Sequence, residues 1–238
     1  MSKRAVILAG GKGTRLRPYT VVLPKPLMPI GEHPILEVVI RQLIQNKFDH
    51  ITLAVNHQAD IIKAFFGNGE KWNIKIDYSV ENIPLSTMGP LKLIQDLPEN
   101  FLVMNGDILT DINYADFLEV HIKSNNIFTI SSYQREQVSD YGVLELDANN
   151  ILKGFKEKPT VSYDVSMGIY AVSKKVLDVI PQNVPFGFDH LMFALLEKEE
   201  KVIVKKHAGY WLDIGNPDDY TKAIAVFEKN PEQFLKQK

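Results

Sequence analysis

The chain is predicted to fold as a three-layer α/β/α sandwich around a mixed, mostly parallel central sheet. Three observations predict it. Short apolar runs alternate with segments of helical period, polar glycine-bearing stretches begin where apolar runs end, and no repeat, low-complexity stretch or linker divides the 238 residues. Strands that succeed one another through helices lie parallel and are covered on both faces. Ligands of such sheets sit beyond the carboxyl ends of the strands.

Val6 to Ala9 reads as a buried strand, followed by a long loop rich in Gly and Pro. Leu36 to Ile44 carries apolar residues at helical spacing behind Pro34. His50 to Val55 is a second strand, Ile61 to Phe66 a helix, and Ile74 to Ser79 a third strand. Met88 to Leu97 is expected to be helical, ending at Pro98, and Phe101 to Met104 is a fourth buried strand. The second half changes character: Phe128–Tyr133, Tyr141–Leu146, Ile151–Lys156 and Val165–Val172 read as short strands, with a hairpin turn at Asp147–Asn150. Helices are expected at Lys174–Ile180, His190–Lys198 and Pro217–Glu228.

Composition bounds the chemistry. With 45% hydrophobic and 24% charged residues the chain is an ordinary globular one, long enough to bury a sizeable core. A net charge of -2 offers no surface for nucleic acid. There is no cysteine, which excludes disulfides and thiolate catalysis. Six histidines lack a zinc-ligand spacing such as H-E-x-x-H. No apolar run approaches the ~20 residues that span a bilayer. The first apolar stretch, Ala5 to Ala9, is too short for a signal-peptide core, so the expectation is a cytoplasmic protein without a membrane partner.

Gly10-Gly11-Lys12-Gly13-Thr14-Arg15-Leu16 directly follows a strand. Glycines let main-chain N–H groups turn towards a phosphate and tolerate positive φ. G-x-x-x-x-G-K-[ST] is absent, and Leu16 stands where a dinucleotide fingerprint has its third glycine. That makes a nicotinamide dehydrogenase remote. Pro18, Pro24, Pro26 and Pro29 forbid a continuous helix, so the loop is expected to run extended over the site. Arg15 can stabilise charge on transferring phosphates, and Lys25, between two prolines, supplies a second cation.

Leu8 to Pro18 followed by Pro24-Lys25-Pro26-Leu27 resembles the sugar-1-phosphate nucleotidylyltransferases, most closely those using mannose or heptose 1-phosphate and GTP. The likeness continues through Asn105-Gly106-Asp107, Glu157-Lys158-Pro159, Met167-Gly168-Ile169-Tyr170 and Trp211-Leu212-Asp213-Ile214-Gly215. It implies a Rossmann-like fold in one domain over residues 1–238, with 1–125 mainly nucleotide-binding and 126–238 mainly sugar-binding. It also implies that Leu8, Gly10, Gly11, Gly13, Thr14, Arg15 and Lys25 hold the triphosphate and its nucleoside. Relatives often form dimers, so a homodimer is expected. The sequence stops soon after the segment around Asp213, so the C-terminal left-handed β-helix of longer relatives is not expected.

Asp107 and Asp213 each follow an apolar strand. Two such carboxylates can converge to hold Mg²⁺, a hard cation that binds carboxylate and phosphate oxygens, and the resemblance assigns them that role. The alternative for each is a turn or cap aspartate, and Asn216-Pro217 marks a helix start close to Asp213. On the sugar side the resemblance gives Lys158 to the sugar phosphate and Glu157 to sugar hydroxyls, with Asn105, Gly106, Ser166 and Gly168 beside them. Gly168 would let the sugar approach the main chain, and its alternative is a strand bulge. Ser166 replaces the asparagine of many relatives, which opens the question of which sugar is bound. Asp189 faces the same pocket or caps the helix after it.

The base is expected near Glu81, whose carboxylate can accept both N–H donors on the Watson–Crick edge of guanine. Ser86 and Thr87 belong to the same segment, in which Ser86 and Met88 depart from the relatives' P-L-G-T-A-G-A-L, and Pro90 matches the guanylyltransferases. The expected reaction is NTP plus sugar 1-phosphate giving NDP-sugar and pyrophosphate, by positioning and charge neutralisation from Mg²⁺, Arg15, Lys25 and Lys158, with Asp107 catalytic as the ligand of the metal. GTP with mannose 1-phosphate or a manno-configured relative is the first reading. A pyrimidine nucleotide with glucose or amino-sugar 1-phosphate is the second, and a catalytically silent sugar-nucleotide binder the third.

Overall fold

A computed structural model describes residues 2–235; Met1 and residues 236–238, the outer limits of the expected domain, lie outside them. β1 (Arg4–Leu8) leads into the glycine loop and then to the two-residue strands β2 (Pro29–Ile30) and β3 (His33–Pro34). α1 (Ile35–Gln45), β4 (His50–Val55), α2 (Ala59–Phe66), β5 (Lys75–Val80) and β6 (Asn100–Asn105) follow. Next come β7 (Ile108–Thr110), α3 (Tyr114–Ser124), β8 (Phe128–Val138), β9 (Val143–Leu146) and β10 (Leu152–Lys156). β11 (Thr160–Ser173), α4 (Phe188–Glu197), β12 (Val202–His207), β13 (Trp211–Asp213), α5 (Pro217–Lys229) and α6 (Pro231–Phe234) complete the chain.

Seven strands form the central sheet in the order β12-β8-β11-β6-β1-β4-β5. β11 runs antiparallel to both of its neighbours, and every other pairing in this sheet is parallel. The sheet is mixed and mostly parallel, as its sequence predicts.

The pleat divides the apolar runs between two cores. Ala5 and Ile7 face one side with Leu102 and Met104, under α1, α2 and α3. Val6 faces the other with Phe101 and Val103, under α4 and the turns around Met88 and Val176. A residue of this size contributes roughly 1.5–3 kcal/mol when fully buried, so α1 is held by Leu36, Val39, Ile40 and Leu43 rather than by a cap. A third cluster joins Leu16, Met28 and Ile30 to Leu212, Ile214 and Phe227, fastening the glycine loop to α5.

Two expected helices are shorter. Met88–Leu97 holds only a 3₁₀ turn, Gly89–Leu93. Pro90 has no N–H, and the N–H groups of Met88 and Gly89 donate to the carbonyl of Phe186 instead of serving a helix. Lys174–Ile180 is likewise a 3₁₀ turn, Lys174–Asp178, entered through Ser173, whose hydroxyl accepts from the N–H of Lys175. The proline-bearing loop does not run extended: it folds into three 3₁₀ turns, Thr14–Leu16, Tyr19–Val21 and Lys25–Leu27. Proline's fixed φ near −65° suits the start of such turns as well as extended chain.

Beyond the sheet, the outer halves of β8 and β11 project with the β9–β10 hairpin as an arm. Leu146 pairs with Leu152 and Leu144 with Phe155, so these four side chains share one face, and all are exposed.

Candidate active site

β1 stands between β4 and β6, and the chain crosses from the β4–β5 side to β6 on the other. Such a reversal leaves a crevice at the carboxyl ends of the strands. A cleft of about 460 Å³ opens there. Leu8, Gly10 and Gly11 after β1, Glu81 after β5, and Asn105, Gly106 and Asp107 at the end of β6 line it, with Lys25, Ser86 and Thr87. Segments far apart in sequence therefore meet as the strand-end rule requires.

The glycines serve different purposes. A Cβ on Gly10 would lie 3.2 Å from Asn56 and from Glu81 Oε1, so this glycine permits close approach. Gly13 has φ 61° and packs on Thr20, whose hydroxyl donates to the Gly13 carbonyl at 2.7 Å. Thr14 opens the following 3₁₀ turn and is exposed. Neither Gly13 nor Thr14 lines the cleft. Among the described residues the N–H groups of Gly10, Gly11, Lys12 and Gly13 have no acceptor within the protein, so they are open to solvent or to a ligand.

Two three-residue strands bring the aspartates together. β13 pairs with β7, setting Asp213 opposite Ile108, and the N–H of Ile214 donates to the carbonyl of Asp107 at 3.0 Å. The Asp107 carboxylate forms an ion pair with Lys25. Burial first, and neighbouring Asp107 second, push the Asp213 carboxyl above its ordinary range, against the pull of Lys25 and Arg15. Arg15 lies with Asp213 in an adjoining depression of about 290 Å³. The four residues thus share one neighbourhood. Asp213 is no cap: Asn216 caps α5, its side chain accepting from the N–H of Asp219.

On the base side, Glu81 Oε2 accepts from the N–H of Leu85 at 2.8 Å, and burial raises the carboxyl above its usual value. One carboxylate oxygen therefore closes its own loop, leaving Oε1 beside Gly10. Ser86 has φ 65°, a conformation that suits the glycine expected there. The loop is tied to the start of α4: the N–H of Phe186 donates to Leu85, and that of Phe188 to Thr87 Oγ1 at 2.8 Å. Gly187 is the N-cap of α4, so Asp189 sits in its first turn rather than capping it.

The expected sugar residues separate. Gly168 reaches the cleft's edge: it has φ 72°, and a Cβ there would lie 2.6 Å from Asn105 Nδ2. A register shift interrupts the β11–β8 pairing between Ser166 and Tyr170, so the bulge is present as well. The Ser166 hydroxyl accepts from the N–H of Gly168 and contacts the Tyr170 hydroxyl at 3.1 Å. Glu157 and Lys158 lie exposed on the turn after β10, Lys158 with φ 43°, and line neither cavity.

Other residues were not singled out in advance. Lys12 and Asn56 line the cleft, and Asn56 follows β4 directly, so the strand-end rule could have found it. Arg135 and Trp211 line the depression beside Arg15 and Asp213. Nothing in the polar stretch Gln134-Arg135-Glu136 marks Arg135.

The sheet, with its glycine loop, two cations and two neighbouring aspartates gathered at a strand switch point, is that of a doubly wound α/β protein with a strand-end cleft. Residues 4–230 match the family model described as nucleotidyl transferase, and the chain belongs to that family. It is 33% identical over 94% of its length to a mannose-1-phosphate guanyltransferase of Pichia angusta, and 34% identical over 93% to a UTP--glucose-1-phosphate uridylyltransferase of Synechocystis sp.. It spans 64% and 62% of the length of these relatives. The crystal structure of HddC from Yersinia pseudotuberculosis superposes with a TM-score of 0.74 at 30% identity, covering 94% of this chain and 99% of that one. HddC complexed with GMP-PN matches with a TM-score of 0.73 and the same coverage. No helix of the described residues is long and apolar enough to cross a membrane.

Proposed function

We propose that the protein joins a nucleoside triphosphate to a sugar 1-phosphate, releasing pyrophosphate, with GTP and mannose 1-phosphate or a manno-configured relative as first substrates. The observation that carries this is the meeting of Gly10, Gly11, Lys25 and Asp107 in the cleft with Arg15 and Asp213 in the depression beside it. The guanyltransferases among the relatives and the GMP-PN complex of HddC support the base; the uridylyltransferase keeps the pyrimidine reading as runner-up.

Asp107 and Asp213 fit a divalent cation: their carboxylates oppose each other electrostatically, and a cation relieves that opposition. Among the described residues no three acidic or histidine side chains form a closed cage. The proposed cation is Mg²⁺, which binds through one or two carboxylates and keeps water and phosphate oxygens in its shell. When bound there, Mg²⁺ neutralises charge on the transferring phosphate. The protein's own groups do the rest. The glycine-loop N–H groups and Arg15 hold the triphosphate, Lys25 stands beside the bond being made, and Glu81 accepts from the base. The sugar phosphate oxygen is itself the nucleophile, so no residue need act as a general base. The same reading gives Glu157 and Lys158 to the sugar, with Asn105, Gly106, Ser166 and Gly168 framing it. The division 1–125 for nucleotide and 126–238 for sugar within one domain belongs to the same proposal.

Pyrophosphate release measured over a panel of NTPs and sugar 1-phosphates with Mg²⁺ tests this reading. The highest rate is expected with GTP and a manno-sugar phosphate, and no release with any pair defeats it in favour of a silent sugar-nucleotide binder. A homodimer is also proposed, supported by the exposed apolar face of the arm, since apolar surface of this kind marks interaction sites. Sedimentation at micromolar concentration checks it, and a monomer there refutes it.

A further inference from the structure

We infer that Arg135 contacts the substrate, binding the phosphate of the sugar 1-phosphate in the depression it shares with Arg15, Trp211 and Asp213. This rests on the nucleotidylyltransferase reading above. Arg135 lies on the projecting part of β8, and its guanidinium centre stands 5.2 Å from the centroid of the Trp211 ring. The indole is itself fixed: its N–H donates to the carbonyl of Met167 at 3.0 Å, and Tyr133 packs against it with centroids 5.5 Å apart. A guanidinium held against an aromatic face keeps its donors in a plane, in the fork geometry that matches phosphate oxygens.

Charge supports the assignment. Among the described residues Arg135 has no carboxylate within 4.0 Å. Asp219, which shares the depression, is engaged elsewhere: Oδ2 accepts from Asn216 Nδ2 at 2.6 Å, and Oδ1 faces Lys222 at 3.9 Å. Two arginines therefore face a space of about 290 Å³, and among the described residues neither has a carboxylate within 4.0 Å. The space borders Asp213 on one side. On the other, Trp211 ties it to Met167, the neighbour of Gly168, so an anion bound there lies between the metal-side carboxylate and the sugar-side glycine. Lys158, the cation expected for this phosphate, lines no part of it.

The test uses full-length protein with Arg135→Ala and Arg135→Lys, checked by thermal melting. Two quantities are read: the KM of each substrate in the pyrophosphate assay, and the affinity for inorganic phosphate by calorimetry. Arg135→Ala is expected to raise the KM for the sugar 1-phosphate by about 10- to 100-fold with the KM for NTP unchanged, and to weaken phosphate binding by a similar factor. Arg135→Lys should recover part of both. An unchanged KM for the sugar 1-phosphate, or a rise confined to NTP, overturns the assignment. If no substrate pair turns over in the wild type, the nucleotidylyltransferase reading fails by itself. Calorimetry then decides alone: phosphate affinity lost in Arg135→Ala sustains the anion site, and unaltered affinity removes it.

Discussion

Asp107 and Asp213, 106 residues apart in the sequence, are joined through the main chain by the N–H of Ile214 donating to the carbonyl of Asp107. The β7–β13 pairing therefore fixes the two carboxylates relative to each other whether or not a cation lies between them.

Asp107→Ala is expected to lower turnover by at least ~10²-fold and to blunt its Mg²⁺ dependence, because the cation that neutralises the phosphate then loses a ligand. The Lys25 ammonium, on a side chain only 12% exposed, loses its counter-charge, so the melting temperature should fall as well. Steady-state rates across a Mg²⁺ titration, with a melting curve, check both.

Asp213→Asn should separate function from stability. A carboxyl raised above its ordinary value binds its proton more tightly folded than unfolded, so it costs stability as pH rises from 3.8 through the raised value. In chelator at neutral pH the asparagine variant is expected to melt higher than the wild type while losing turnover, with the melting difference vanishing below pH 3.8. A lower melting temperature at neutral pH would show that the aspartate's contacts outweigh its burial.

Glu81→Gln keeps an oxygen able to accept from Leu85 but removes the negative charge facing the base. Use of GTP is expected to fall about tenfold more than use of UTP, read as the ratio of kcat/KM values. Equal losses would assign Glu81 to the loop alone.

His121 is wholly buried, its Nδ1 2.8 Å from the Thr129 hydroxyl, and burial depresses its pKa from 6.5 to about 4. Because the unfolded chain takes up the proton first, stability is full above pH 6.5 and declines as pH falls towards 4, by about 3 kcal/mol. Denaturation by urea between pH 7 and 4 should show a shallower acid decline in His121→Leu.

Gly168→Ala combines a positive φ with a Cβ 2.6 Å from Asn105 Nδ2. It is expected to cost about 2 kcal/mol in stability and to displace Asn105 from the cleft, which urea titration and the KM for sugar 1-phosphate read separately.

Much of this was legible in the sequence. β1, β4, β5 and β6 appear as apolar runs, and the strand-end rule placed Gly10, Glu81 and Asp107 around one cleft. α3 was not, although Asn113 stands at its start and accepts from the N–H of Asp116. Its polar face is broad, and its buried positions include Tyr114 and His121 as well as Phe117 and Leu118. β12 was hidden because its apolar part is only Val202-Ile203-Val204, followed by Lys205-Lys206-His207 at the sheet's edge. The 3₁₀ turn at Gly89–Leu93 was unreadable for a different reason: its entry is decided by Phe186, nearly a hundred residues away. Arg135 carries no local mark, since what singles it out is the ring of Trp211.

The stitches from Leu85, Thr87, Met88 and Gly89 to residues 186–188 are made almost wholly by main-chain atoms; only Thr87 lends a side chain. The path of this loop is therefore set mainly by main-chain bonds, with Glu81 and Thr87 the side chains that help to hold it. On the proposed function, exchanges at Ser86 between residues that tolerate its φ of 65° would alter the rim of the cleft while the ribbon stays in place, so a new nucleotide preference could arise there with little damage to folding.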